Sequence, residues 1–286
     1  MKKLNNNPFF LYRNVMLVFF LMISILQVNS QTAKKVDYLS MTRLPAGLEL
    51  KEPKPYSYIM TADYFNHDIL GNFLNKTRVQ GTYTRGLQNG EVKWNDVTIA
   101  QATAKDQPFP AGEKQDYMEG FTYDPKGDLM KESAFPGFPP ATGVFGKNLV
   151  WDALSFEVFA WTYYDSLQLN KPFSTSTING TINLEGLGTF ENKDIILTWT
   201  GISKMNGEPC AVIEFNAMEN PINFKSEYFK MKGRSNYWGT LWMSLTDKQI
   251  EHGVLYEDVN MEMKMGGQEK SQLMNTSRKI DFDKLQ

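Results

Sequence analysis

The group of ionisable residues best placed for chemistry is Glu257, Asp258 and Glu262, near the C-terminal end of the chain. Paired carboxylates are what glycoside hydrolysis requires, one acting as the acid and the other as base or nucleophile. On an extended strand, however, Asp258 and Glu262 share one face with Lys264, while Glu257 points to the other. A solvated face of mixed charge therefore accounts for this group better than a catalytic pair.

Thiol and imidazole chemistry has little support. The one cysteine, Cys210, excludes an intramolecular disulfide, and it continues into the apolar run Ala211 to Ile213, which predicts a small buried side chain. Neither histidine, His67 or His252, lies in a recognisable motif, and His67 has no partner at metal-ligand spacing. The sequence also lacks a Gly-rich phosphate loop, a Gly-x-Ser-x-Gly elbow and a His-Glu-x-x-His motif. We expect no catalytic residue, metal or cofactor, and no enzymatic activity.

Methionines form the clearest apolar pattern. Met261, Met263 and Met265 alternate with polar residues, which places them on one face of a strand. With Met243 and Trp242 on a predicted neighbouring strand, they would offer an adaptable surface for a loosely defined apolar ligand. Core packing explains the pattern equally well, so both interpretations stay open. The predicted ligand-binding residues are Met243, Met261, Met263 and Trp242.

Period-two alternation predicts the strands that must position these side chains. A hairpin is indicated by residues 78–85 and 92–99 around Asn89-Gly90, with a β-bulge at Asn95 or Asp96. Further strands are predicted at residues 56–64, 117–123, 178–184, 195–204, 210–215, 237–245, 250–257, 259–265 and 271–282. Short connections between them predict a meander of antiparallel neighbours.

The segment 151–167 fits either a helix or a strand, and its length favours the helix. A helix so apolar must be covered by the face of a sheet. We therefore predict a mainly β protein: a curved antiparallel sheet or half-barrel with one helical segment packed on it. The Pro-rich stretch 135–142 is a candidate internal boundary within the single domain predicted for residues 31–286.

Residues 1–30 have the pattern of a signal peptide. Lys2, Lys3 and Arg13 precede an apolar core, Val15 to Leu26, that is shorter than the about 20 residues of a bilayer-spanning helix. Val28 and Ser30 suit positions −3 and −1 of a cut before Gln31. An uncleaved anchor is the alternative, and no membrane span is expected after cleavage.

Removal of residues 1–30, which hold three basic and no acidic residues, would change the formal charge from −2 to −5. Nucleic-acid binding is disfavoured because it needs clustered positive charge to neutralise phosphates. The signal pattern and this charge together predict a protein of the bacterial periplasm or a secreted one.

The stretch Gly201-Ile-Ser-Lys-Met-Asn-Gly-Glu-Pro-Cys-Ala-Val-Ile-Glu-Phe215, followed by Trp238-Gly-Thr-Leu-Trp-Met-Ser-Leu-Thr-Asp-Lys-Gln-Ile250, resembles exported proteins of the periplasmic lipoprotein-carrier and lipoprotein-sorting type. That resemblance is one of strands and turns. It implies an open antiparallel sheet that wraps helices and holds acyl chains. We accordingly expect an envelope protein that binds an apolar or lipid-like ligand; the alternative is a non-catalytic module that contacts a protein or glycan.

We predict that the exported protein begins at or near Gln31, because the apolar core is too short for a stable anchor. N-terminal sequencing of protein recovered from the envelope or medium checks this. Recovery of an intact residue 1–30 segment would show an anchor instead.

Overall fold

A computed structural model describes residues 38–140, 142–225, 229–267 and 269–286. The described residues from Met41 onward form one compact unit, and the short 3₁₀ turn Tyr38–Ser40 is not part of it. The predicted signal peptide, residues 1–30, lies outside the described residues.

The compact unit is mainly β, as predicted. Its strands are β1 (Tyr56–Asp68), β2 (Phe73–Arg85), β3 (Val92–Ala102), β4 (Glu113–Lys114), β5 (Phe121–Tyr123), β6 (Phe173–Ser174), β7 (Gly180–Leu184), β8 (Gly188–Asn192), β9 (Ile195–Met205), β10 (Glu208–Lys225), β11 (Phe229–Ser244), β12 (Ile250–Met265) and β13 (Gln272–Lys284). The helix α1 (Gly143–Glu157) continues into a π-helical turn, Val158–Thr162. Further 3₁₀ turns lie at Asp116–Met118, Glu132–Ala134, Tyr164–Ser166 and Ser176–Ile178.

All of these strands belong to one antiparallel sheet with the order β4-β3-β2-β1-β13-β12-β11-β10-β8-β7. In addition, β5 pairs with β3, and β9 pairs with β10 and with β6. Consecutive strands are neighbours from β1 to β3 and from β10 to β13, which confirms the predicted meander. The pairing of β1 with β13 joins the two meanders, and the sheet stays open.

The first hairpin shows how closely local sequence sets this register. Gly90 has a φ of 80° in the turn, whereas Asn89 has no positive φ, so the predicted hairpin forms with Gly90 as the one residue of this pair in the left-handed region. The predicted bulge lies at Asp96, whose φ is 53°, opposite a register shift between Gln80 and Thr82. Val79 and Tyr83 are consequently both buried on one face of the sheet.

Helix α1 packs on this face, which we call the inner face. The helical interpretation of the segment 151–167 is confirmed, although α1 begins earlier, at Gly143. Glycines lower helix propensity, which is why the pattern did not include the first turns. Gly146 allows the helix to pack closely on Met118, because a Cβ at this position would lie 2.9 Å from Met118 Sδ.

One predicted strand is much shorter in the structure. Of residues 117–123, only Phe121–Tyr123 are extended, and a 3₁₀ turn, Asp116–Met118, replaces the rest. Gly120, with a φ of 70°, separates the two parts. Met118 is fully buried in the main core, so tertiary packing overrides the period-two pattern here.

Aromatic side chains fill the main core between α1 and the sheet. The ring of Phe156 on α1 stacks on Phe282 of β13, with centroids 5.4 Å apart, and Phe282 stacks on Tyr58 at 4.6 Å. Cys210 is fully buried, as predicted. Phe135, within the candidate boundary 135–142, packs edge-on against Trp151 of α1 at 5.8 Å.

We expect Phe156→Ala to lower the free energy of unfolding by about 3–5 kcal/mol, because it leaves a cavity beneath α1. Trp238→Ala is the control, since Trp238 is 42% exposed on the opposite, outer face of the sheet. Its loss should cost no more than about 1 kcal/mol, as for an exposed cross-strand pair. Denaturant titration measures both, and equal costs would contradict the assignment of the inner face.

Candidate ligand-binding site

A second apolar cluster lies on the inner face and touches the main core through Phe190, which packs against both. We call it the methionine face; it consists of Phe190, Ile222, Phe224, Met231, Val259, Met261, Met263 and Met274. These residues come from β8 and from β10 to β13. Within the described residues, α1 contributes no side chain to this cluster.

Strand register makes the methionine face continuous. Met231 pairs with Met263 across β11 and β12, and Met261 pairs with Met274 across β12 and β13. Phe224 of β10 pairs with Met231 on the other side. Met261 is 8% exposed, whereas Met231, Met263 and Met274 are half-buried. The cluster therefore has a packed base and a partly open surface.

A layer of buried charge separates the methionine face from the main core. Arg278 on β13 pairs across the sheet with Glu257 on β12 and donates a hydrogen bond of 2.5 Å to its carboxylate. The second terminal nitrogen of the guanidinium, Nη2, donates a hydrogen bond to Asp152 on α1. Ser235 Oγ donates to the second Glu257 oxygen, also at 2.5 Å. We call Asp152, Ser235, Glu257 and Arg278 the charged layer.

Aromatic and electrostatic contacts complete the charged layer. The Arg278 guanidinium carbon lies 4.8 Å from the centroid of the Tyr64 ring, close enough for a cation–π interaction. Burial raises the pKa of Asp152 to about 6; the positive charge of Arg278 opposes this shift and the negative charge of Glu257 adds to it. Two carboxylates thus share one guanidinium, an arrangement that clamps α1 to β12 and β13.

A second buried ion pair holds the C-terminal end of α1, five residues beyond Asp152. Glu157 accepts hydrogen bonds of 2.5 Å from both Arg85 and the Tyr83 hydroxyl on β2. Arg85 also donates to Glu52 at 2.8 Å, and its guanidinium carbon lies 4.7 Å from the Trp161 ring centroid. Burial raises the pKa of Glu157. The C-terminal half of the helix is therefore fixed at two positions by charges that point into the interior.

The structure brings together two of the four predicted ligand-binding residues. Met261 and Met263 are both in the methionine face. Met243 lies in the main core, where it pairs with Ala211 and Ile250. Trp242 has the opposite strand parity and lies on the outer face, with its ring 5.0 Å from that of His252.

Sequence reasoning did not include Met231, Met274, Phe224 or Ile222 in this surface. The signal for Met231 was present in its parity, because Met231 and Leu241 are an even number of residues apart on β11 and so share the inner face. Flanking Lys230 and Lys232 concealed this signal by giving the segment the composition of a solvated strand.

No helix in the described ranges combines the length and hydropathy needed to cross a bilayer. In the same ranges, no group of three or more His, Cys, Asp or Glu is arranged to hold a metal ion.

The raised pKa of Asp152 gives a test of the charged layer. Between the ordinary carboxyl pKa of 3.8 and the folded value of about 6, the folded protein binds more protons than the unfolded chain. The contribution of Asp152 to the free energy of unfolding therefore falls as the pH rises through this window. The free energy of unfolding of the Asp152→Asn variant, measured across this pH range, should lack that decline. An unchanged pH profile would show that Asp152 titrates normally.

Comparisons with known proteins give only distant likenesses. No family model matches the chain, and no curated protein matches it. Among solved structures, 82% of the chain is similar to lipovitellin, a protein with lipid–protein interactions, with 11% identity and a TM-score of 0.40. The chain spans 25% of the lipovitellin length. A second likeness, to a DUF1329 family protein from Desulfovibrio piger, covers 81% of this chain and 85% of that one, with 8% identity and a TM-score of 0.13.

Proposed function

We propose that this chain is an exported envelope protein that binds a single acyl chain or similar apolar ligand on the methionine face, without catalysis. The observation that carries the proposal is the continuous set of methionine and phenylalanine side chains that α1 leaves half-buried on the inner face. Export rests on the signal pattern of residues 1–30.

The side-chain chemistry of this surface suits a flexible apolar ligand. Methionine is unbranched and polarizable, so its side chain adapts to ligands of differing shape at low cost. Four methionines, Met231, Met261, Met263 and Met274, contact one another across three adjacent strands. Phe190 and Phe224 extend the surface toward β8, the strand next to the edge strand β7. An acyl chain lying across these strands would remove apolar area of both partners from water.

The main core is a poorer location for a ligand. Phe156, Phe215 and Phe282 are at most 1% exposed and pack in ring contacts beneath α1. Insertion of an acyl chain there would require displacement of the helix against the ion pairs of Asp152 and Glu157. The ligand is therefore expected to lie beyond the charged layer, on the methionine face.

A second candidate function has its own observation. Trp238 and Tyr256 lie side by side on the outer face, 42% and 38% exposed, with ring centroids 6.0 Å apart and planes within 22°. Exposed paired aromatic rings are characteristic of surfaces that contact a protein or a glycan. This pair favours the interaction-module interpretation, and it lies on the face of the sheet opposite the methionine face.

The double variant Met231→Gln/Met263→Gln should weaken binding of a fluorescent long-chain fatty acid by about tenfold or more, because two apolar contacts become polar. Both side chains are half-buried, so the fold should be retained. Fluorescence titration measures the affinity, and native mass spectrometry of protein from its host tests for a co-purified lipid.

Met218→Gln is the matched control, since Met218 is 47% exposed and outside the methionine face. Equal affinities for the parent, the control and the double variant would contradict the proposal. Loss of affinity in Trp238→Ala, with the double variant unchanged, would transfer the site to the outer face.

A further inference from the structure

One end of the sheet carries an unusual concentration of exposed apolar side chains. The hairpin tips β1–β2, β10–β11 and β12–β13 all lie at this end, because Asp68 pairs with Met274, Lys225 with Lys230, and Phe229 with Met265. Five of the nine exposed large apolar side chains in the described residues lie at or next to the first and third of these tips: Ile69, Leu70, Leu74, Met265 and Leu273.

The β1–β2 tip presents its apolar residues on an ordered turn. Asp68 Oδ1 accepts hydrogen bonds of 2.9 Å from the backbone N–H groups of Leu70 and Asn72, and the Asn72 amide donates to Asp68 Oδ2 at 2.8 Å. Turn corners usually carry Gly, Asn, Asp, Ser or Pro. Here the corner holds Ile69 and Leu70, which are 57% and 84% exposed. The turn thus holds two apolar side chains in water at a fixed position.

Lysines accompany these apolar side chains. A cleft of about 220 Å³ at the same end is lined by Lys225, Lys230, Lys232 and Lys264, with Glu262 as the acidic residue of the lining. All four lysines are exposed, and none forms an ion pair within the described residues. This local excess of positive charge contrasts with the net negative charge of the whole chain.

We propose that this end of the sheet docks on the surface of an anionic lipid bilayer. The apolar-basic rim, defined as Ile69, Leu70, Leu74, Met265 and Leu273 together with Lys225, Lys230, Lys232 and Lys264, supplies both components that interfacial binding uses. Apolar side chains enter the boundary between headgroups and acyl chains, and lysines are attracted to anionic headgroups at the surface. Long lysine side chains can reach the headgroups while their stems lie along apolar surface.

The rim is also continuous with the methionine face. Phe224 and Met231 line the basic cleft and belong to the methionine face. Strand parity directs the four lysines to the outer face and Met265 to the inner face with Met263, so an acyl chain that leaves the bilayer at Met265 would meet the methionine face. This route rests on the proposed function, whereas docking itself does not.

Site-specific fluorescence tests the docking with the exported form of the protein. An environment-sensitive dye on Leu70→Cys, in a Cys210→Ala background, should shift to shorter wavelength with vesicles of phosphatidylcholine and phosphatidylglycerol. The same dye on Leu285→Cys is the control, because Leu285 is 42% exposed at the opposite end of β13. No shift at position 70, or equal shifts at both positions, would overturn the proposal. Because the readout is local, any membrane binding by residues 1–30 cannot produce the expected difference.

Neutralisation of three rim lysines tests how much their charge contributes to membrane binding. Lys230→Gln/Lys232→Gln/Lys264→Gln should lower partition into the anionic vesicles by about tenfold or more, with little effect on pure phosphatidylcholine.

The matched control neutralises three exposed lysines elsewhere, Lys105, Lys126 and Lys204. Equal partition of the two triple variants would overturn the role of the rim. Binding of the monomeric fatty-acid probe is measured in parallel: its retention without vesicle docking rejects the rim alone, and docking without probe binding rejects the methionine face alone.

Discussion

A mismatch in length between the helix and the sheet determines the architecture. Strands β10, β11 and β12 contain 18, 16 and 16 residues, and at about 3.3 Å per residue they extend over roughly 50 Å or more. Helix α1 contains 15 residues and is about 22 Å long. One helix of this length cannot cover the inner face of such strands along their whole length. The covered part is filled by rigid aromatic rings, and methionines dominate the uncovered part.

The charged layer lies where coverage by α1 gives way to the methionine face. Burying Asp152, Glu257 and Arg278 is unfavourable unless each charge finds a partner, and here one guanidinium serves both carboxylates. An apolar helix on an apolar sheet could slide with little change in free energy, whereas these directional bonds favour one position. The raised pKa of Asp152 shows that burial outweighs the attraction of Arg278 at this site. The layer therefore fixes where the main core ends.

Period-two patterns and turn residues predicted the meander, the first hairpin with its bulge, and the inward parity of Met261 and Met263, because these depend on neighbours in sequence. The composition of the methionine face could not be predicted in the same way, because Met231 and Met274 join it only through strand register. Arg278 was missed although it shares parity with Ile280 and Phe282, since Lys279 and Asp281 make the segment appear solvated. Met243 and Trp242 cannot share one surface, since adjacent residues on a strand point to opposite faces, and Trp242 lies on the outer face.

The separation of the two apolar clusters has a consequence for binding. The charged layer and the Glu157–Arg85 ion pair hold α1 on the main core. A ligand on the methionine face could therefore bind and dissociate without repacking the aromatic rings that stabilise the fold. Methionine side chains lose more rotamer entropy on binding than rigid aromatic rings do, which favours weak and reversible binding. Exchange with a bilayer requires this property, since the acyl chain leaves one apolar environment for another and the net free-energy change is small. A tight, enclosed pocket would retain a ligand, whereas an open surface at the end proposed to dock on a membrane would allow exchange.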